Sequence, residues 1–177
     1  MSKNYLTRLL NKLQMFPIKK CPAPENTFLE RYLIDGNYVD CYTTTIDKQV
    51  SFSEFIFAFY TTPLFKLERL ILKFTVSKPS TDIQARQLAN GNIEKFAAWT
   101  VESRSENEIL MCDFIGRTRS WLMTENDGVK TKLYFGSAVV LKKGSERLDF
   151  GFRALLGFHQ IYSVLLLYFA KQRLLSK

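Results

Sequence analysis

The chain has 177 residues, a formal net charge of +8 and an aromatic content of 14%. This length fits one domain with one core, and a second domain is not expected. The excess positive charge lies at the two ends of the chain. Residues 1–20 carry five basic side chains and residues 171–177 carry three, and neither segment has an acidic one. The 150 residues between them hold 17 basic and 17 acidic side chains. A nucleic-acid-binding domain usually carries its basic surface on the folded body, so nucleic acid is not an expected partner.

The cysteines and the histidine restrict the chemistry further. Cys21, Cys41 and Cys112 are odd in number, far apart along the chain and in no CxxC pair, which argues against a disulfide framework and a zinc site. His159 is the only histidine and no glycine-rich phosphate loop is present, so neither a metal nor another cofactor is expected. The opening segment is interrupted by charges and makes a poor signal peptide. These features predict a cytoplasmic protein in a reducing compartment.

The first fifteen residues predict a basic amphipathic helix. Charged Lys3, Arg8 and Lys12 mostly face away from an apolar stripe at helical spacing, formed by Tyr5, Leu6, Leu9, Leu10 and Leu13. The favoured interpretation is that this helix docks on the body, and the alternative is peripheral contact with an anionic membrane surface. A proline-containing linker follows. Residues 1–25 are therefore separated from a single domain over residues 26–177.

The domain is predicted to open with a strand and then change to helical periodicity. Residues 37–46 are rich in β-branched and aromatic side chains and follow the turn pair Asp35-Gly36. Ser51 and Glu54 have the spacing of a capping box, so a helix is expected to begin there.

Two further helices are predicted downstream. The first helix should stop near Thr62, because Pro63 forces a break, and a second should continue over residues 64–74. A weaker capping signal over residues 81–84 predicts a short third helix that ends at Gly91.

An antiparallel meander is predicted next, with strands in residues 95–103, 108–116, 118–124 and 129–143. A three-residue loop with Gly128 in the left-handed conformation would pair Glu125 with Val129 and put Trp121 on the same face as Leu133. A two-residue turn at 106–107 would similarly put on one face Trp99, Val101, Leu110, Cys112 and Phe114.

The C-terminal segment predicts a long helix packed on the sheet. Residues 154–170 carry no formal charge, but they are short for a membrane span and polar side chains interrupt them. At helical spacing, the face expected to pack on the sheet holds Ala154, Phe158, Ile161, Tyr162, Leu165, Tyr168 and Phe169. The opposite face gathers Arg153, Gln160, Ser163 and Lys171.

This order of elements resembles the helix-grip fold. The segments NYVDCY, AFYTTPLFKLERLILKF and FRALLGFHQIYSVLLLYFAKQRL are similar to a bacterial family of unknown function in the START-like, polyketide-cyclase-like (SRPBCC) superfamily. The resemblance implies an α+β domain in which a curved antiparallel sheet wraps around a long C-terminal helix. It also implies a deep cavity that often holds an apolar ligand, but no reaction, since carriers, cyclases and sensors share this scaffold.

Six side chains are predicted to converge between the sheet and the C-terminal helix as a ligand site, and these are Trp99, Arg119, Trp121, Phe135, His159 and Tyr162. A filled core is an equally weighted alternative. A buried Arg119 would need a partner or an anionic ligand, whereas the strand acids Asp40, Glu102 and Asp113 are expected to be solvated.

Three functions follow as hypotheses. The first is a non-enzymatic module that binds a small hydrophobic or amphipathic ligand. The second is a cyclase or hydratase that uses Arg119 for an anionic group and Asp113 for proton transfer. The third is a structural or interaction protein with a filled core.

Overall fold

The computed structural model describes residues 18–75, 77, 79–140 and 150–176. The predicted N-terminal amphipathic helix and the end of the last predicted strand lie outside these residues. The described part has an α+β architecture, with one antiparallel sheet of seven strands, several helices and a C-terminal helix. The strands are β1 Lys19–Lys20, β2 Tyr38–Ile46, β3 Lys95–Phe96, β4 Trp99–Arg104, β5 Glu108–Asp113, β6 Thr118–Asn126 and β7 Thr131–Val139.

The helices are α1 Glu30–Ile34, α2 Phe52–Tyr60, α3 Pro63–Thr75, α4 Asp82–Ala89 and α5 Phe150–Leu175. Across the sheet the strand order is β1-β2-β7-β6-β5-β4-β3, so the first long strand lies beside the last. No helix in the described residues is both long and apolar enough to cross a bilayer.

The helix starts form where local chemistry predicts them. Both N–H groups of the predicted capping box are satisfied, because Ser51 Oγ accepts from Glu54 N at 3.2 Å and Glu54 Oε2 accepts from Ser51 N at 2.9 Å. The weaker capping box at Thr81 is confirmed as well. The break at Pro63 is also confirmed, and Thr62 Oγ1 accepts from Phe65 N at 3.1 Å to cap the new helix.

The predicted loop between β6 and β7 is one residue too short. Asn126 pairs with Thr131, so the loop has four residues, and Asp127 Oδ1 holds it by accepting from the N–H groups of Val129 and Lys130 at 2.9 and 2.7 Å. The extra residue moves Trp121 opposite Gly136 and onto the face away from Leu133 and Phe135. The predicted face of Trp121 is therefore wrong.

The face shared by β4 and β5 is also reversed. The two-residue turn is present, with Ser105 N donating to Glu108 O at 2.9 Å. A β-bulge between Val101 and Ser103 then shifts the register, so Val101 lies opposite Met111 rather than beside Leu110 and Cys112. Trp99 and Val101 consequently pack on the helical side of the sheet.

The sheet is covered on both faces. The larger core lies between the sheet and the helices and contains an aromatic cluster of Phe55, Phe59, Tyr60, Phe65, Phe96 and Phe135. The smaller core lies on the opposite side, called the outer face below, and contains Leu29, Cys41, Leu110, Trp121, Met123, Tyr134 and Ala138. The segment around α1 covers this outer face through Phe28 and Tyr32.

The buried face of α5 is rotated around the helix axis from the predicted face by about one residue position. Ile161 is 48% exposed, while the buried positions are Ser163, Leu166, Leu167, Ala170 and Leu174. Ser163 can face the core because its hydroxyl donates to the carbonyl of His159 at 2.9 Å, which satisfies it within the helix. Tyr162 remains partly buried against the larger core.

Candidate functional site

A cavity of about 410 Å³ lies between the helical face of the sheet and helices α3 and α5. This is within the usual size range of small-molecule sites. Most of its wall is apolar, formed by Phe59, Leu64, Phe65, Leu67, Ile71, Trp99, Phe135, Tyr162 and Leu166. Polar side chains reach it at a few places only, and these are Glu68, Thr118, Arg119, Ser120, Ser137 and His159.

Glu68 is the acidic residue on the cavity wall. Its Oε2 accepts a hydrogen bond from the Tyr162 hydroxyl, which joins α3 to α5. Burial raises the pKa of Glu68 because the charged carboxylate is poorly solvated there, although the Tyr162 hydroxyl and the Trp99 indole oppose the shift. Burial and the neighbouring Glu68 charge also raise the pKa of Tyr162. Both shifts favour the protonated form of the side chain, for Glu68 and for Tyr162.

Glu68→Gln is expected to stabilise the protein relative to the wild type by an amount that grows with pH. The folded-state pKa of Glu68 lies above its unfolded value, near 4.5, so the wild type loses stability as pH rises from about 4.5 through the folded pKa. The E68Q amide cannot ionise and can still accept from Tyr162.

Urea unfolding of both proteins between about pH 4 and pH 8 measures this effect. Glu25→Gln, at an exposed site, is the matched control. A difference between E68Q and the wild type that stays constant with pH would contradict the expectation.

Trp99 lines the same wall with its indole ring. Its Nε1 has no hydrogen-bond partner of ordinary geometry in the described part of the chain, but the indole lies near enough to Glu68 to favour the charged form of that carboxyl. Because Nε1 has almost no accessible surface, the indole N–H is not open to the cavity.

A chain of hydrogen-bonded side chains runs from Asp40 on β2 through Ser137 on β7 to His159 on α5. Asp40 is 2% exposed and accepts from the Ser137 hydroxyl through Oδ1, and Ser137 Oγ lies 2.7 Å from His159 Nε2. An ionised carboxylate can only accept, so the one hydroxyl proton of Ser137 goes to Asp40 and Ser137 accepts from the Nε2–H of His159.

The order of these three groups is not that of a hydrolase triad. In a triad the histidine lies between the serine and the acid and removes the serine proton. Here Ser137 lies between Asp40 and His159, and its proton is directed to the acid. The chain orients the imidazole of His159 at the cavity rather than activating a serine nucleophile.

Five of the six predicted ligand-site residues border the cavity, namely Trp99, Arg119, Phe135, His159 and Tyr162. Trp121 does not, because the longer β6–β7 loop turns it to the outer face, where it is fully buried. The contribution of the five to ligand binding stays a prediction.

Arg119 borders the cavity, but its guanidinium is engaged on the outer face. Its Nε forms an ion pair with Glu102 Oε2 at 2.6 Å and donates to the Tyr32 hydroxyl at 2.8 Å. The predicted need for a partner is therefore met by Glu102 rather than by an anionic ligand. Asp113 accepts from Arg117 N at 2.8 Å and from Thr118 Oγ1 at 3.0 Å, so it holds a turn. The structure does not bring Arg119 and Asp113 together for catalysis.

The sequence interpretation missed Glu68 and Ser137. Glu68 follows Leu64 and Phe65 by four and three residues on a predicted amphipathic helix, so an acid on an apolar stripe was a readable signal. Ser137 alternates with Leu133 and Phe135, but nothing local indicates that it would meet both Asp40 and His159. No group of three metal-binding side chains occurs in the described residues.

No protein-family model matches the chain, and no curated protein or solved structure matches it significantly.

Proposed function

We propose that this protein binds a small amphipathic molecule in the cavity between the sheet and α5. The observation that carries the proposal is the largely apolar cavity of about 410 Å³ with few polar groups on its wall. A helix-grip arrangement is part of the proposal, and the contacts of α5 with β2 and β7 on the helical side of the sheet support it.

The wall chemistry supports a ligand with an apolar body and one polar group. Phe59, Phe65 and Phe135 offer a surface on which a hydrocarbon or aromatic body gains by leaving water. The Glu68 carboxyl and the His159 imidazole line the cavity and can exchange hydrogen bonds with a hydroxyl or carbonyl group. Because these polar groups are few, they would fix the ligand's orientation.

Leu67→Trp is expected to block the cavity and weaken binding of the neutral apolar dye N-phenyl-1-naphthylamine by about tenfold or more, which corresponds to roughly 1.4 kcal/mol. Leu67 lines the cavity yet is 54% exposed, so an indole there can cover the entrance without entering the core. Dye fluorescence titration measures the affinity.

Leu70→Trp is the matched control, since Leu70 lies on the same helix, is 50% exposed and does not line the cavity. It should leave dye affinity unchanged. Equal weakening by both substitutions, or no saturable dye binding by the wild type, would overturn the proposal. Native mass spectrometry of the purified protein tests independently for a co-purified small molecule.

An enzyme of the cyclase or hydratase kind that uses the same cavity is the second candidate. The observation in its favour is the oriented imidazole of His159, held by Ser137 at the cavity wall. His159→Gln should then abolish turnover of a co-purified ligand while retaining dye binding, whereas a pure binding module turns nothing over. A cytoplasmic location and peripheral membrane contact through the N-terminal segment stay predictions.

A further inference from the structure

Two cysteines that lie far apart along the chain are neighbours in the fold. Continuing the β1–β2 register places Cys21 directly opposite Cys41, and Cys21 N donates to Cys41 O at 3.0 Å. Their Sγ atoms are 3.5 Å apart. Directly opposed residues of antiparallel strands have Cα atoms about 4.5–5.5 Å apart, which is inside the range that a disulfide spans.

The two thiols differ in access. Cys41 is 1% exposed and belongs to the outer-face core, whereas Cys21 is partly exposed in a surface depression that it shares with Pro22, Leu33 and Val39. Cys41 also borders the depression, but it is almost completely buried, so a small reagent is expected to contact Cys21 first.

We propose that Cys21 and Cys41 are a reactive thiol pair that hydrogen peroxide converts into a reversible intramolecular disulfide. In the first step the Cys21 thiolate attacks one peroxide oxygen, the O–O bond breaks, and a sulfenic acid and one water form after proton transfer. In the second step Cys41 sulfur attacks the Cys21 sulfenic sulfur, and the hydroxyl leaves as a second water. Two thiols are thus oxidised and one peroxide is reduced to two waters.

The electrostatic surroundings agree with these roles. The pKa of Cys21 is lowered, first by the hydrogen bond between the two thiols and then by the nearby Lys132, although partial burial opposes this. The hydrogen bond to Cys21 and burial raise the pKa of Cys41. Since the thiolate is the attacking species, Cys21 is suited to react first and Cys41 to resolve the intermediate.

The third cysteine provides an internal control. Cys112 lies on β5, separated from β2 by β7 and β6, so about 14 Å of sheet lies between it and Cys41. Its Sγ contacts the Asp113 carbonyl at 3.3 Å. No reactive partner for Cys112 is present in the parts of the chain that the structure describes.

The test treats the reduced full chain with a small excess of hydrogen peroxide and counts thiols after unfolding. We expect free thiols to fall from three to one, the intact mass to fall by about 2 Da, and dithiothreitol to restore both. Tryptic peptides 21–31 and 32–48 should run as one cross-linked species without reductant. The oxidised protein should also melt at a higher temperature, because the bond closes a loop between positions 20 residues apart.

Three variants make the result decisive. Cys112→Ser should still lose two thiols, and Cys21→Ser should keep both remaining thiols under the same treatment. Cys41→Ser should form no intramolecular cross-link but should lose the Cys21 thiol with a gain of oxygen, because the sulfenic acid then has no resolving partner. The proposal is overturned if the wild type gains one or more oxygens at Cys21 without the cross-link, if the disulfide joins two chains, or if no thiol is lost. Circular dichroism of Cys21→Ser, whose site is partly exposed, checks that the variant is folded.

Discussion

Gly136→Ala is expected to lower the free energy of unfolding by about 1–3 kcal/mol, the usual cost of overpacking a core. A Cβ at position 136 would lie 2.3 Å from Leu29 Cδ2, 3.0 Å from the Asp40 carbonyl oxygen and 3.1 Å from Trp121 Cε3. Leu29 and Trp121 are both fully buried, so neither can swing aside into solvent. Urea unfolding measures the loss.

The contact with Leu29 can be isolated by a double-mutant cycle. Leu29→Ala alone should cost about 2–5 kcal/mol, because it removes a fully buried side chain from the outer-face core. It also removes the nearest obstacle to a Cβ at position 136, so G136A should cost less in the L29A background than in the wild type. Strict additivity of the two substitutions would show that Leu29 is not the source of the strain.

Glu108→Ala is expected to destabilise the protein by about 3 kcal/mol or more. Its Oε2 accepts from Trp121 Nε1 at 2.7 Å and from Phe28 N at 3.0 Å, and the residue is 7% exposed. A hydrogen bond to a charged group contributes about 1.5–3 kcal/mol, and the substitution leaves two buried N–H groups without an acceptor. Glu108→Gln should cost less, since its carbonyl oxygen can still accept.

Glu106→Ala is the control for this prediction, because Glu106 is an exposed glutamate in the adjoining turn and should change stability by less than about 0.5 kcal/mol. Thermal and urea unfolding, with Trp fluorescence as the probe, compare the three variants. Equal stability of E108A and E106A would contradict the assigned role of Glu108 in attaching the α1 segment to the sheet.

Local structure could be predicted from the sequence because its causes lie within a few residues. The capping boxes at Ser51 and Thr81 each depend on two side chains three positions apart, and the break at Pro63 depends on one ring. The first long strand, β2, was predicted within one residue for the same reason. Its β-branched and aromatic run is continuous and a glycine turn precedes it.

The faces of the sheet could not be predicted in the same way. A longer loop, held by Asp127, turned Trp121 outward. One bulge at Glu102 separated Trp99, which packs on the helical side as predicted, from Leu110, which packs on the outer face. The register differs from the predicted one by three residues between β6 and β7, where Trp121 lies opposite Gly136 rather than Leu133, and by one residue at the bulge. Both shifts are odd and side chains alternate with a period of two, so each reverses the relation between the two strands. The bulge also puts Glu102 and Ser103 together on the outer face, where they contact Tyr32 and Arg31.

The candidate site was predicted most directly where its residues belong to long periodic elements. Phe135 and Tyr162 lie on such elements, and both border the cavity. The pairing of Ser137 with Asp40 joins residues 97 positions apart, and the approach of Cys21 to Cys41 depends on a two-residue edge strand. Positions along the sequence do not indicate either contact. Cysteine spacing therefore could not predict that Cys21 and Cys41 are neighbours.

The burial of the sheet on both faces has a mechanical consequence for the cavity. On the outer face Leu29 and Trp121 are packed without exposure, so the sheet cannot bow outward to enlarge the cavity without breaking that packing. The opposite wall is α3, where Leu67 and Ile71 line the cavity while about half exposed. A molecule larger than the cavity must therefore displace one of the two helices or extend through the entrance beside Leu67. The sheet is the fixed wall, and the space for the part of a ligand held inside depends on how far the helices can move.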